Sequence, residues 1–315
     1  MREGLLPSTV ATVLELATTG HKARALTELL GEVFDPTETA ISAFEIDDTA
    51  ATMSLDTPWK VEIWFATHPP EEAVRDMLRG IVGDAIDVAQ FRQLSQKDWV
   101  SASLDGLKPV RAGRVLIHGS HDRAAVRTND VAIEIEAALA FGTGHHGTTA
   151  GCLLAIDAEL KKRRPRHALD VGTGTGILAL ALAKQTRRPV VAGDIDGIAV
   201  DVARGNARSN AAPNALTLYV APGVQHALAN RNRHFDLVLA NILARPLMRL
   251  SASIARVLAP GGTLILSGLL MMDVPGVLAA YRMQGLSLSY RSEREGWATL
   301  VLKRGGAAAR AKQSS

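Results

Sequence analysis

The segment that most constrains this chain is Leu169-Asp170-Val171-Gly172-Thr173-Gly174-Thr175-Gly176. A short apolar run ends in three glycines at alternate positions. Such a segment has to be a buried strand turning sharply into a helix, because glycine enters the left-handed backbone region without steric penalty and lets other groups approach the backbone closely. In an open α/β sheet the carboxyl end of a strand is where ligands bind. Strand and helix alternate from there on. Strands are expected at 168–171, 190–194, 215–220, 237–240 and 263–267, and helices at roughly 176–185, 196–209 and 246–258. Repeated βα units with apolar strands give a parallel sheet covered on both faces. Residues 287–290 and 298–303 should close it with an antiparallel pair.

The glycine spacing selects among ligands. A dinucleotide site requires G-x-G-x-x-G, but position 177 is Ile, and no Lys-Ser/Thr follows to cradle a triphosphate. G-x-G-x-G preceded by an acidic residue is the pattern that holds the methionine end of S-adenosylmethionine. The next strand ends at Asp194, 18 positions after Gly176, where a carboxylate can accept from both ribose hydroxyls. Asp196 is read instead as the N-cap of the following helix. The run from Phe235 to Ala244 ends a strand at Asn241, whose amide can accept a hydrogen bond from an attacking amine. Ile242 and Leu243 follow it, so planar sandwiching of an amide or amino group is not supported. Before the first helix, Phe141-Gly142-Thr143-Gly144-His145-His146-Gly147-Thr148-Thr149 offers a loop able to fold over a cofactor. Adjacent histidines do not share a face and no further ligand cluster accompanies them, so no metal is expected. His146 remains a candidate for proton removal.

The first hundred residues read differently. Strands at 9–16, 39–46, 61–66 and 88–94 and helices at 22–30 and 69–81 give the order β-α-β-β-α-β, the ferredoxin-like pattern. Residues 1–95 are assigned to a recognition domain, 96–130 to a connector with short strands of its own, 131–304 to the catalytic domain and 305–315 to a disordered tail. Charge divides along the same line. Residues 1–100 carry 8 Lys+Arg against 17 Asp+Glu, a net of −9, and the remainder 27 against 15, a net of +12. A uniformly basic nucleic-acid binder does not look like this; an acidic front half suits a basic partner. The run Lys161-Lys162-Arg163-Arg164-Pro165-Arg166 is read as solvating the exit of a helix. A single cysteine, Cys152, excludes an intrachain disulfide and is read as helix filler. No apolar run is long enough to span a bilayer and no signal peptide is evident, so a cytoplasmic protein is expected.

Taken in order, AFGTGHHGTT, DVGTGTGIL, AGDID, LANILARPL and PGGTLILSGLL closely resemble the ribosomal protein L11 methyltransferases, the PrmA family, over about 131–303. The likeness continues weakly through Lys97-Asp98-Trp99. It implies a class I, seven-stranded, Rossmann-like methyltransferase domain behind a small substrate-recognition domain. It also implies S-adenosylmethionine as cofactor, and methylation of lysine ε-amino and N-terminal α-amino groups on ribosomal protein L11. No membrane and no direct nucleic acid are required. Carried over by motif, cofactor contacts fall on Phe141, Thr149, Gly172, Gly174, Asp194 and Asn241. The chain departs from the family at Val100-Ser101-Ala102-Ser103, Gly119-Ser120-His121 and Glu136-Ala137-Ala138, which touches substrate presentation more than cofactor binding. Competing readings are a lysine methyltransferase for a metabolic protein, an RNA methyltransferase suggested by the basic run, and a cofactor-binding regulatory module.

Overall fold

The computed structural model describes residues 11–34, 39–46, 57–65, 68–94, 109–135, 146–230, 234–294 and 296–305. They form two compact units, one from residues before 95 and one from 109 onward. Phe141, the side chain of His146 and the tail beyond 305 lie outside the described residues.

The first unit runs β1 (Ala11–Thr19), α1 (Gly20–Val33), β2 (Thr39–Glu45), β3 (Pro58–Phe65), α2 (Glu71–Val82), β4 (Gln90–Leu94). Its sheet has the order β2-β3-β1-β4 with every pair antiparallel. Alternation along β3 sends Trp59, Val61, Ile63 and Phe65 into a core shared with Ala23, Leu26 and Leu30 of α1 and Val74, Leu78 and Val82 of α2. On the same strand Lys60 bonds Glu62 at 2.8 Å and Glu15 of β1 at 3.3 Å. Glu71 and Glu72 fill the first turn of α2, where negative charge complements the helix dipole.

The second unit opens with β5 (Val110–Ala112), β6 (Val115–His118) and β7 (Val131–Glu134), a three-stranded sheet of their own. The main sheet and its helices follow as α3 (His146–Lys162), β8 (Ala168–Val171), α4 (Ile177–Thr186), β9 (Val190–Asp194), α5 (Gly197–Ser209), β10 (Leu216–Val220), α6 (Ala227–Asn230), β11 (Phe235–Asn241), α7 (Ala244–Val257), β12 (Leu258–Leu270), α8 (Val274–Arg282), β13 (Leu286–Arg294) and β14 (Trp297–Arg304). Seven strands take the order β10-β9-β8-β11-β12-β14-β13. Those from β10 to β12 are parallel, and β14 is antiparallel to both its neighbours. The fold is Rossmann-like, with α6 and α8 added to the helices read from the sequence. β8 is buried along its whole length because helices cover both faces of the sheet centre.

Within the segment read as a connector, β5 pairs with β6, and β6 pairs in parallel with β7 at the start of the catalytic segment, which ties residues 110–118 to this second unit. Lys184 of α4 donates to the Ala132 carbonyl of β7 at 2.7 Å and to Asn210 Oδ1 at 2.9 Å. Asn210 in turn exchanges two hydrogen bonds with the backbone of Glu134, at 2.9 and 2.6 Å. These strands are three or four residues long, too short for an alternation pattern to show in the sequence.

Candidate functional site

Register gathers the site. Val171 of β8 pairs with Gly193 of β9 on one side and with Ala240 of β11 on the other. The residues that follow, Gly172, Asp194 and Asn241, therefore stand in one row at the carboxyl edge of the sheet. Three residues read from separate motifs become neighbours through strand pairing.

The glycine turn is built by its backbone. Gly172, Gly174 and Gly176 have φ of +72°, +53° and +82°, a region that side chains with a Cβ rarely enter. The N–H groups of Gly172 and Thr173 both donate to the Gly193 carbonyl, at 2.8 and 3.0 Å. The Gly174 N–H donates to Asp194 Oδ2 at 2.8 Å, and the Asp196 N–H donates to Asp194 Oδ1 at 3.1 Å. Asp194 thus holds the turn while keeping a lone pair on each oxygen for a ligand hydroxyl. Asp196 is the N-cap of α5, accepting from the Ile198 N–H at 2.8 Å. At Gly172 a Cβ would collide with the Ile242 side chain, so this glycine serves both the turn and the packing of the strand end that carries Asn241.

Two buried oxygens in this region lack a hydrogen-bond donor among the described residues: Asp170 Oδ1 and Asn241 Oδ1. Asp170 is 1% exposed, and its other oxygen accepts from the Thr173 hydroxyl at 2.8 Å. Burial pushes its carboxyl up to about 7; the Thr173 bond opposes this and the charge of Asp194 adds to it. Asn241 donates through Nδ2 to Thr148 Oγ1 at 3.4 Å, which turns its carbonyl oxygen away from Thr148. A buried acceptor without a donor costs about 1–3 kcal/mol, and a ligand that supplies the donor recovers it.

Thr148 is a residue to which the motifs assign no contact, and Asp170 enters them only as the acidic residue before the glycines. Thr148 is fully buried in the first turn of α3, and Thr149, expected to contact a cofactor, is buried beside it. Ile195, Ile198 and Leu243, adjacent in sequence to the row, are 69%, 56% and 53% exposed. These side chains leave apolar surface open next in sequence to Asp194 and Asn241. Cys152, on the same helix as Thr148, is buried and its thiol is pushed up to about 12 by desolvation, which leaves it packed and unreactive. Among the described residues no group of three or more His, Cys, Asp or Glu side chains is placed to hold a metal. Nor is any helix among them long and apolar enough to cross a membrane.

Comparison with known proteins joins this geometry to a family. Residues 14–305 match the family model of ribosomal protein L11 methyltransferase (PrmA). A ribosomal protein L11 methyltransferase of Rhodopseudomonas palustris is 48% identical over 89% of this chain and 92% of its own length. One of Bradyrhizobium diazoefficiens is 47% identical over 90% of this chain and 94% of its own. The crystal structure of a ribosomal protein L11 methylase from Lactobacillus delbrueckii subsp. bulgaricus superposes with a TM-score of 0.56 at 27% identity. It covers 63% of this chain and 98% of that one.

Proposed function

Because this chain belongs to the PrmA family of ribosomal protein L11 methyltransferases, we propose that it transfers methyl groups from S-adenosylmethionine to lysine ε-amino and N-terminal α-amino groups of ribosomal protein L11. The observation that carries the chemistry is Asn241 Oδ1, a buried acceptor without a donor among the described residues, at the strand end beside the glycine turn.

The residues present fit the cofactor. Gly172 and Gly174 expose backbone at the turn, Asp194 offers carboxylate lone pairs to ribose hydroxyls, and the second oxygen of Asp170 suits the ammonium of a methionine moiety. Ile195 and Ile198 offer apolar cover to a base. When bound, the cofactor supplies an electrophilic methyl group on its sulfonium.

What the chain contributes is position and protonation state. A free lysine has a pKa of about 10.4, and only its neutral form carries the attacking lone pair. A buried site disfavours the ammonium and so favours that form. Asn241 Oδ1 then accepts one amine N–H and aims the lone pair in line with the bond to be broken. Thr148 holds the amide in that orientation. We assign His146, at the head of α3, to receive the departing proton. Phe141 and Thr149 complete the cofactor contacts in this reading.

We assign the first unit, a ferredoxin-like domain at about 1–95, to recognition of the basic substrate, acting in the cytoplasm where ribosomes are made. Methylation of purified L11 by the Asn241→Ala variant, set beside cofactor titration, tests the assignment. Transfer should fall by at least about a hundredfold, the scale of removing one positioned polar group, while cofactor affinity changes less than about threefold. Equal losses in both would reduce Asn241 to a cofactor contact.

A further inference from the structure

The sheet edge opposite the cofactor row has a character that this function does not use. Strands β8 to β12 run parallel and β13 runs with them, so their first residues and the last turns of the preceding helices share one edge. Arginines collect there: Arg208 at the end of α5, Arg187 and Arg188 before β9, Arg164 before β8, Arg256 at the end of α7 and Arg282 at the end of α8. All six are exposed, and none has a side-chain hydrogen bond or ion pair among the described residues. Acids on this edge are already neutralised. Asp157 is held by Lys161 at 2.8 Å, Glu159 by Lys162 at 2.8 Å and by Lys303, and Asp236 by Arg163 at 3.3 Å.

Helix dipoles account for one cation at each helix end, at about 0.3–1 kcal/mol apiece. They do not account for Arg164 and Arg188, which lie outside the helices, or for six cations that no neighbouring acid among the described residues offsets. An ordinary soluble surface intersperses the two signs. The row crosses seven strands at about 4.8 Å spacing, roughly 29 Å in all. All six of these cations are arginines, whose planar fork matches phosphate oxygens in pairs. A ladder of this length suits a continuous polyanion better than a single compact anion.

We propose that this edge is an RNA-binding surface that engages the phosphate backbone without reading sequence. It shares no residue with the cofactor row, so it can hold RNA while the opposite edge carries out methyl transfer. That independence also keeps it distinct from the RNA methyltransferase reading, in which the nucleic acid itself would be the substrate.

Fluorescence anisotropy of full-length protein with an RNA duplex of about 20 base pairs over a salt series tests this. The triple variant Arg164→Ala, Arg188→Ala, Arg256→Ala should bind about a hundredfold more weakly at 0.1 M salt. Its slope of log affinity against log salt should be shallower by about 2–3, because each neutralised phosphate contributes roughly 0.7–0.9 to that slope. These side chains make no hydrogen bonds among the described residues, so the variant should melt like wild type and methylate free L11 at the wild-type rate. A control triple variant, Arg249→Ala, Arg291→Ala, Arg294→Ala, removes three exposed arginines from elsewhere on the unit and should bind RNA as wild type does. Failure of the wild type to bind, equal losses in the two variants, or impaired methylation of free L11 by the first would overturn the proposal. So would equally tight binding of polyglutamate, which would make the edge a dock for acidic protein.

Discussion

Asp194→Ala separates the two duties assigned to one carboxylate. In the fold it accepts from the Gly174 N–H at 2.8 Å and the Asp196 N–H at 3.1 Å. A hydrogen bond to a charged acceptor contributes about 1.5–3 kcal/mol, but this side chain is only part-buried and water can replace some of each bond. The two together should cost about 2 kcal/mol of stability. For a unit of about 200 residues that lowers the melting temperature by roughly 4–8 °C. Cofactor binding should suffer separately, because the acceptors for the ribose hydroxyls vanish and the Gly174 peptide is no longer fixed. A loss of about 1.5–3 kcal/mol corresponds to roughly 10–150-fold in affinity. Calorimetry with S-adenosylhomocysteine measures the second quantity, and a melt without ligand measures the first. Asp194→Asn preserves the volume, but its amide NH₂ must face one of two backbone donors, so it should rescue neither fully. Affinity within twofold of wild type for a folded Asp194→Ala protein would refute this account of Asp194.

Gly172→Val should abolish cofactor binding, since it places a β-branched residue at φ +72° and drives its side chain into Ile242; normal titration by a folded variant would make the glycine turn merely structural. Asp170 carries a pH signature. Its carboxyl moves from an ordinary 3.8 to about 7 in the fold, chiefly by desolvation. Between those values the unfolded chain releases the proton first, so this group lowers stability as pH rises through that window. The stability of Asp170→Asn relative to wild type should therefore climb from about pH 4 to about pH 7, by at most about 4 kcal/mol, and a flat difference would contradict the burial argument. Finally, neutralising the exposed acids Glu72, Asp76 and Asp84 of the first unit should raise the KM for L11, more so at low salt, while leaving kcat unchanged. A KM that does not respond would remove this acidic face from substrate recognition.

The parts of this molecule that are legible in its sequence share a physical cause. Gly172, Gly174 and Asp194 announce themselves because a strand end that must turn sharply, with a carboxylate at a fixed separation, has few solutions. Thr148 and the second oxygen of Asp170 are not legible. Their burial depends on which strands flank β8, and pairing between β8 and β11 joins residues about 70 positions apart. The arginine edge shows the same limit more sharply. The run at 161–166 reads as solvating one helix exit, and that is where three of its cations find their acids. Arg188, Arg208, Arg256 and Arg282 stand singly or in pairs along nearly a hundred residues, and only the parallel topology sets them side by side. The connector's place in the second unit escapes a sequence reading for a local reason. Its β6 pairs with β7, and β7 is held to α4 and α5 by Lys184 and Asn210, none of which belongs to the segment.

Helix α3 is tied to the sheet at both ends, by Thr148 to Asn241 and by Glu159 to Lys303 and Thr263. At about 100° per residue, the 11 positions between Thr148 and Glu159 amount to three turns and roughly 20°, so both side chains point the same way. The helix therefore acts as a gauge as well as a support. Its exposed Leu154 and Ala158 take no part in either tie, but the length of helix between the two ties is fixed. Inserting or deleting one residue would swing one end by about a quarter turn and carry either Thr148 off Asn241 or Glu159 off Lys303.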